Sequence, residues 1–348
     1  MKRIIVTMLL LSLLGLVVPL SAKTTVTKEA WDLAHTLAKQ YLRTDYTWFY
    51  SDAIALIGGL KVYELTGEEE YLRIVQEWAA GFHSSQIPTG HVDKDMPALV
   101  MLELYRLTGD TQYLHLAYRS VIDLVGGTDT IMKHSRFWAD DLYMTCPLVA
   151  LAGVLLQRDS YLTLVVNQFT AYKEALQKDN GLFQHTQDSA FSWGRANGWV
   201  AVALVEVLKT IPEDFPGYRT LLAMYQDFMM SILPYQDEAG MWHQLIDHPE
   251  SYAETSSTAM FVYALAAGYN HRWAPEAMLE AFKEAALAGF AGLQAKLDDQ
   301  GQLTNVCIGT NVGYTLEYYL TRPTRTGDLH GVAPLMWACT EIARLEGQ

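Results

Sequence analysis

The sequence predicts an all-α fold, an (α/α)6 toroid in which six inner helices lie inside a ring of six outer helices. A two-helix unit recurs along the chain, wholly apolar helices alternate with amphipathic ones, and six such pairs follow one another. Repeats of this size are typical of stacked two-helix units. A helix that is apolar on every face is expected to be buried behind an amphipathic partner.

The clearest repeat relates residues 58–75 to residues 99–117. Gly67 aligns with Gly109 at an offset of 42 residues, and the same offset superposes several flanking tyrosines and leucines. A glycine just past the last turn is a common C-terminal signal of a helix. Each copy therefore predicts one helix that ends at the glycine and a second helix that begins a few residues later.

Looser copies follow, and together they predict one domain over residues 23–348. The six inner helices are expected to begin near Ser51, Asp95, Asp141, Trp193, Glu254 and Leu329. An open helical solenoid is the alternative arrangement. A solenoid shows more uniform repeats and polar caps, whereas the later units of this chain diverge, so the closed ring is favoured.

Residues 1–22 have the composition of a secretory signal peptide. Lys2 and Arg3 precede an apolar run from Ile4 to Leu20, and small residues follow. This pattern predicts removal on export and a periplasmic or secreted protein; an N-terminal membrane anchor is the alternative. No later stretch approaches the ~20 unbroken apolar residues of a membrane span, so none is expected after the signal peptide.

The charge of the chain limits its partners. The formal net charge is −14, and no patch rich in lysine or arginine stands out. Nucleic acid is therefore not an expected partner. An acidic oligosaccharide would have to be bound by a few local arginines rather than by a general positive field.

Three cysteines, Cys146, Cys307 and Cys339, allow at most one disulfide in an exported protein. All three lie in apolar or glycine-rich surroundings. We therefore expect them to be buried as small hydrophobic residues.

The segments before the predicted inner helices share an unusual composition, and in a toroid they lie on one rim. They are WFYSD (48–52), HVDKD (91–95), RFWADD (136–141), FSWGR (191–195), SYAET (251–255) and TGDLHG (326–331). An acid at such a position is explained by capping of the helix, but capping does not require tryptophan or tyrosine. Aromatic rings beside a few carboxylates favour a sugar-binding crater.

Asp141 is the candidate general acid, since glycoside chemistry normally uses two carboxylates of which one is protonated. It lies beside Trp138 at the start of a long apolar segment, so burial is expected to raise its pKa. The neighbouring Asp140 is predicted to cap the helix. Asp93 is the second candidate carboxylate, because Pro97 suits the first helical turn and leaves Asp93 in the preceding loop.

Arg195 and His185 are candidate substrate-binding residues. Arg195 is expected either to hold a substrate carboxylate with a two-pronged hydrogen bond or to pair with a rim acid. His185 lies in a glycine-containing loop, where it either donates to substrate or is simply exposed. Trp138 and His330, on the same rim, are expected to line the site. No zinc-ligand spacing, phosphate loop or nucleophile motif is present, so no metal and no cofactor are expected.

Four segments carry a resemblance to a known family. They read WADDLYMTCPL, WGRANGW, ETSSTAMFVYALAAG and YYLTRPTRTGDLHGVAPLMWA. From about residue 45 to the C-terminus the chain resembles the unsaturated rhamnogalacturonyl hydrolases of glycoside hydrolase family 105 and, more distantly, the unsaturated glucuronyl hydrolases of family 88. The family often shows W-A-R-G-N-G-W, and here Gly194 and Ala196 are exchanged relative to that pattern.

The resemblance implies the toroid and an activity on terminal 4,5-unsaturated uronyl residues. In such enzymes one aspartate protonates C4 of the C4=C5 double bond and activates the water that adds at C5. The hydrated sugar then opens and releases its neighbour. The catalytic aspartate falls on Asp141 and the assisting aspartate on Asp93. The implied substrate contacts fall on His185, Trp193, Arg195, Asn197 and Trp199.

Other functions fit the same toroid. An ordinary inverting glycosidase requires a second carboxylate ~6.5–9.5 Å from the acid, and a sugar epimerase requires paired histidines on the rim. A catalytically inactive periplasmic sugar-binding protein is the alternative from another class, although a binding protein gains little from a desolvated carboxyl. The residues do not indicate which sugar is released.

Overall fold

The computed structural model describes residues 20–345 and, for side chains, residues 25–345. In chain order the helices are α1 (Leu20–Tyr41), α2 (Tyr50–Thr66), α3 (Glu69–Ala80), α4 (Val92–Asp95), α5 (Ala98–Thr108), α6 (Thr111–Val125), α7 (Asp141–Leu155), α8 (Asp159–Leu176), α9 (Gly194–Thr210), α10 (Tyr218–Ile232), α11 (Thr255–Asn270), α12 (Leu279–Gln294), α13 (Leu316–Leu320) and α14 (Leu329–Ile342). Two short strands, β1 (Val306–Cys307) and β2 (Thr324–Arg325), pair antiparallel.

The inner ring consists of α2, α5, α7, α9, α11 and α14, each of which packs on the next, and α14 closes the ring against α2. These helices are buried on nearly every face; in α7, for example, the residues from Asp141 to Gly153 are all buried. The (α/α)6 toroid is therefore confirmed. The inner helices begin at or within a few residues of the predicted positions, because the apolar segments and their capping residues are local signals.

The outer ring consists of α3, α6, α8, α10 and α12, together with α1 from the N-terminus. Helix α1 packs on α14 and α2, so the first helix of the chain completes the last unit. The repeat pattern alone did not indicate this, because the sixth copy has no helix after it. The predicted signal peptide, residues 1–22, lies largely outside the described residues. Among the described helices, none combines the length and apolarity needed to cross a bilayer.

Two predicted helix ends are confirmed in detail. Gly67 and Gly109 follow α2 and α5 with φ angles of 72° and 73°, and their N–H groups donate to the carbonyls of Tyr63 and Tyr105. A side chain would be strained in this left-handed conformation, which glycine adopts freely.

The three cysteines are buried and free, as expected for small apolar residues. Burial raises the pKa of the Cys146 and Cys339 thiols well above the ordinary value. Both side chains are therefore small packing groups of the interior.

Ion pairs join the inner helices at the C-terminal rim. Lys61 of α2 pairs with Glu206 of α9 at 2.9 Å, and Lys209 of α9 pairs with Glu341 of α14 at 2.7 Å. These groups line a cavity of ≈ 680 Å³. The apolar inner helices thus end in a polar cluster that ties non-adjacent helices together.

Candidate active site

Residues from five rim segments lie near one another at the N-terminal ends of the inner helices. Burial raises the pKa of the Tyr50 hydroxyl far above its ordinary value; Arg195 opposes that shift, while Asp93, Asp140 and Asp328 add to it. Side chains that come from distant parts of the sequence therefore share one electrostatic environment. The rim segments are therefore close together, as the sequence predicts.

The Asp141 carboxylate is fully buried at the first turn of α7, and both of its oxygens are occupied. Oδ2 accepts from the Arg136 main-chain N–H at 2.7 Å and from the Tyr172 hydroxyl at 2.8 Å. Oδ1 accepts from Arg136 Nε at 2.8 Å and lies 2.6 Å from the Arg136 Nη2 atom. Burial raises the pKa of this carboxyl although Arg136 lowers it. The expected direction of the shift is therefore correct.

The role predicted for Asp141 does not fit this geometry. A general acid must come within hydrogen-bonding reach of the atom that it protonates, and the Asp141 side chain has no exposed surface. Its carboxylate instead holds Arg136 and the turn before α7. The geometry therefore does not support Asp141 as the proton donor.

Asp140 has the opposite character. Its side chain is 15% exposed, and Oδ2 lies 3.4 Å from His185 Nε2. Among the described residues neither of these two atoms has any other hydrogen-bond partner. The predicted capping role is wrong, because the Asp140 side chain accepts no N–H group at the start of α7. Burial raises the pKa of Asp140, but His185 and Arg136 outweigh it and leave that pKa below the ordinary value.

Arg136 is a site residue that the sequence reasoning missed. Its guanidinium bonds Asp141, lies 3.5 Å from Asp93 Oδ1 and stacks 4.3 Å from the centre of the Trp138 ring. Burial raises the pKa of the Asp93 carboxyl, although Arg136 lowers it. The sequence feature that could have identified Arg136 is its position in a rim segment, two residues before Trp138. Arg136 brings Asp93 into the site.

His185 is fully buried rather than exposed, which excludes one of the two predicted alternatives. Its Nδ1 atom lies 2.7 Å from the Tyr319 hydroxyl, and this contact orients Nε2 towards Asp140. The rings of Trp138 and Trp193 flank the imidazole at centroid distances of 5.7 Å and 4.8 Å. His185 is thus held in an aromatic cage beside the free carboxylate.

His330 links the rim segments at α14 and α2. Its Nδ1 atom lies 2.6 Å from Asp328 Oδ1, and its Nε2 atom lies 2.8 Å from the Tyr50 hydroxyl. Burial lowers the pKa of the imidazole, and Arg195 lowers it further, while Asp328 raises it. A neutral imidazole that donates from Nδ1 and accepts from Tyr50 fits these contacts.

Arg195 does not fit either role that the sequence suggested. Its Nη1 and Nη2 atoms donate to the main-chain carbonyls of Cys307 and Ile308, each at 2.5 Å. No carboxylate of the described residues lies within ion-pair distance of it, and the side chain is 1% exposed. The guanidinium therefore fastens the β1 segment to α9 and is not free to hold a substrate carboxylate.

Asn197 and Trp199 also belong to the interior rather than to the crater. Asn197 exchanges two hydrogen bonds with the main chain of Phe183, at 2.8 Å and 2.7 Å. The Trp199 ring is buried and stacks on Tyr143 at a centroid distance of 4.7 Å. The substrate contacts implied for these two residues are therefore corrected to packing roles, because one turn of α9 carries them below the rim.

The glycines of the same motif allow close packing between helices. A Cβ atom on Gly194 would lie 2.8 Å from the His243 carbonyl oxygen, and one on Gly198 would lie 2.4 Å from the Met260 sulfur. Residues four apart share a face of a helix. The glycines of WGRANGW therefore let α9 approach the neighbouring backbone and α11.

The site has the elements of acid–base chemistry on a sugar. It offers one carboxylate and one imidazole that lack other partners, Asp140 and His185, at the base of an aromatic wall. Asp93 supplies a second carboxyl, whose Oδ1 atom lies 3.5 Å from Arg136 Nη2. The buried Nε1 donor of Trp193 has no partner among the described residues.

Comparisons with known proteins establish the family and the fold. The family model of Glycosyl Hydrolase Family 88 matches residues 23–346. The unsaturated rhamnogalacturonyl hydrolase YesR of Bacillus subtilis (strain 168) is 24% identical over 309 residues, which cover 82% of this chain and 87% of that protein.

Two solved structures share the fold. A possible member of the GH105 family from Salmonella enterica serovar Paratyphi A superposes with a TM-score of 0.81 at 23% identity, covering 91% of this chain and 94% of the other. An unsaturated glucuronyl hydrolase from Streptococcus agalactiae superposes with a TM-score of 0.70 at 16% identity, covering 93% of each chain. With the family match over nearly the whole chain, these likenesses lead to one conclusion: the protein belongs to glycosyl hydrolase family 88.

Proposed function

We propose that this glycoside hydrolase removes a terminal 4,5-unsaturated uronyl residue from lyase-generated oligosaccharides by hydration of the C4=C5 double bond. The observation that carries the proposal is the Asp140–His185 pair, whose facing atoms lie 3.4 Å apart and have no other partner among the described residues. The names of the relatives point to the same substrate class: a rhamnogalacturonyl hydrolase and a glucuronyl hydrolase, both acting on unsaturated sugars.

Asp140 is the proposed proton donor, in place of Asp141. It transfers a proton to C4, and the positive charge that develops at C5 is shared with the ring oxygen. Water adds at C5 and returns a proton to the carboxylate, which regenerates the acid. The resulting hemiketal opens to a ketone at C5 and leaves a hemiacetal at C1, which collapses to an aldehyde and releases the neighbouring sugar as an alcohol. One water is consumed and no redox change occurs.

The surrounding charges support this assignment. In the free protein His185 and Arg136 hold the pKa of Asp140 below its ordinary value. A uronyl substrate brings its own carboxylate into the crater, and a like charge favours the protonated form of a nearby carboxyl. Substrate binding is therefore expected to raise the pKa of Asp140 and to favour its protonated form. Asp93, whose pKa is raised by burial, is the second donor in line.

Vinyl-ether hydration differs from ordinary hydrolysis in one measurable way. The protein is expected to cleave an unsaturated galacturonyl-rhamnose disaccharide with loss of the ultraviolet absorbance of the double bond. In heavy water the product should carry deuterium at C4. An ordinary inverting glycosidase accepts the saturated disaccharide and places no deuterium on carbon. Cleavage of the saturated sugar with an unlabelled C4 would exclude the proposed chemistry while leaving the fold and family unaffected.

We also propose that the protein acts outside the cytoplasm. The support is the basic start and apolar run of residues 1–22. Expression of the full chain should yield a periplasmic or secreted protein that has lost this segment, as measured by cell fractionation and N-terminal sequencing. Recovery of the intact chain in the membrane fraction would favour the anchor instead.

A further inference from the structure

A cluster of polar side chains, one of them fully buried, lies between α4, α6 and the loop before α7. Asp95, at the end of α4, is fully buried, and neither of its carboxylate oxygens has a hydrogen-bond partner among the described residues. Ligand atoms of Asp95, Asp123 and His134 all lie within 4.8 Å of one another. The proposed chemistry at Asp140 uses none of these side chains.

An unpartnered carboxylate in a dry interior is costly, and proteins compensate for it with a proton, a donor or a cation. The Ser120 hydroxyl, one turn before Asp123 on α6, is also fully buried and lies close enough to Asp95 to lower the pKa of that carboxyl. Asp95 of α4 and Ser120 of α6 therefore bring two buried side-chain oxygens close together. We infer that Asp95, Asp123 and His134 form a binding site for a divalent transition-metal ion, with Ser120 or water as the fourth ligand.

The donor set indicates the kind of ion. Two carboxylates and one imidazole suit a borderline ion such as Zn²⁺, whereas Ca²⁺ takes six to eight oxygen ligands. In a tetrahedral zinc site with bonds of about 2.0–2.1 Å, neighbouring ligand atoms stand about 3.3 Å apart. The His134 Nε2 and Asp123 Oδ2 atoms are 2.7 Å apart, so only modest side-chain shifts are needed.

Access and charge are compatible with binding. The side chains of Asp123 and His134 are 18% and 23% exposed, which opens a route from solvent. Lys133 pairs with Asp123 Oδ1 at 2.6 Å, but its side chain is 48% exposed and is free to move outward when a cation enters. The ligands come from separate segments of the chain, which is why no zinc-like spacing appears in the sequence.

Binding would also stiffen the loop that enters the crater. His134 lies two residues before Arg136, whose guanidinium lies between Asp141 and Asp93. A metal ion at His134 would fasten this loop to α4 and α6. The inference concerns binding and does not depend on the proposed activity.

The test uses the purified, EDTA-stripped protein with ZnCl₂ in calorimetric titration and CoCl₂ in visible spectroscopy. We expect one equivalent of Zn²⁺ per chain, a Zn²⁺-dependent rise in Tm and the visible absorption of four-coordinate Co²⁺. Asp95→Asn and His134→Asn should each weaken Zn²⁺ binding at least about tenfold, since even outer-shell partners are worth about 10- to 100-fold. Asparagine also tolerates the left-handed backbone of His134, whose φ is 67°.

Asp129→Asn is the matched control, because it removes an exposed acid from the same loop without removing a ligand atom. This variant should bind Zn²⁺ as the wild type does. Without metal, Asp95→Asn should melt no lower than the wild type, since it removes an unpartnered buried carboxylate. Absence of Zn²⁺ binding by the wild type, or equal binding by all three variants, would overturn the inference.

Discussion

The Asp140 Oδ2 atom lies 3.4 Å from His185 Nε2, whereas the adjacent, fully buried Asp141 carboxylate accepts hydrogen bonds from Arg136 and Tyr172. Successive residues of a helix point about 100° apart, so the two neighbouring aspartates have different surroundings. We therefore expect Asp140→Asn to lower kcat/KM by at least about 10²- to 10⁴-fold with an unchanged Tm. The decay of ultraviolet absorbance on an unsaturated disaccharide measures the activity.

Asp141→Asn is the matched variant and should behave differently. It removes the buried charge that faces Arg136 and leaves donors without an acceptor, which should cost about 3 kcal/mol of unfolding free energy. Urea denaturation at neutral pH measures this loss. If Asp141→Asn abolishes turnover with full stability while Asp140→Asn remains active, the acid is Asp141.

Substitution of Arg195 should affect stability more than substrate binding. Lysine keeps the charge but cannot reach both the Cys307 and Ile308 carbonyls, which accept from Nη1 and Nη2. Hydrogen bonds from charged donors are worth about 1.5–3 kcal/mol each, so Arg195→Lys should lose at least about 2 kcal/mol with KM little changed. A large rise in KM at an unaltered Tm would instead place Arg195 in contact with the substrate.

Because the imidazole of His330 is buried, we expect the protein to lose stability in mild acid. Burial lowers the pKa of its imidazole below the ordinary 6.5 in the folded protein. Between pH 6.5 and the lower pKa of the folded protein, the imidazole binds a proton in the unfolded chain but not in the folded one. Stability therefore falls as the pH decreases through this interval. His330→Asn keeps a donor towards Asp328 but does not titrate.

The measurement compares urea unfolding at about pH 7.5 and about pH 5.5. The wild type should lose more stability between the two values than His330→Asn does. His271, whose pKa is also lowered by burial, contributes equally to both proteins and cancels in the comparison. Equal losses would show that His330 does not set this acid sensitivity.

Gly194→Ala should destabilise the protein by about 1–3 kcal/mol, the usual cost of overpacking. The new methyl group would meet the His243 carbonyl oxygen at 2.8 Å and the Ser257 hydroxyl at 2.9 Å. Gly309→Ala is the control, since a Cβ atom there has no neighbour within 4 Å. Thermal melting of both variants tests the close approach, and equal Tm values would contradict it.

Much of the fold was predictable because its signals are local. The apolar inner helices, the glycines at 67 and 109 and the caps at Glu254 and Asp328 depend on neighbours within one or two turns. The rim segments were also predictable, since each inner helix must start on the same side of a toroid. The sequence by itself therefore determined the ring of helices, where each inner helix begins, and which rim segments lie together.

Only the tertiary structure decided which side chains of the rim segments belong to the site and which pack in the interior. The partners of Arg195 lie 112 and 113 residues further along the chain, and Asn197 and Trp199 turn inward with α9. Helix α1 completes the outer ring, and Arg136 unites Asp93 with the first turn of α7. These roles depend on contacts between segments that no local periodicity encodes, because a side chain's function is set by the groups that surround it in space.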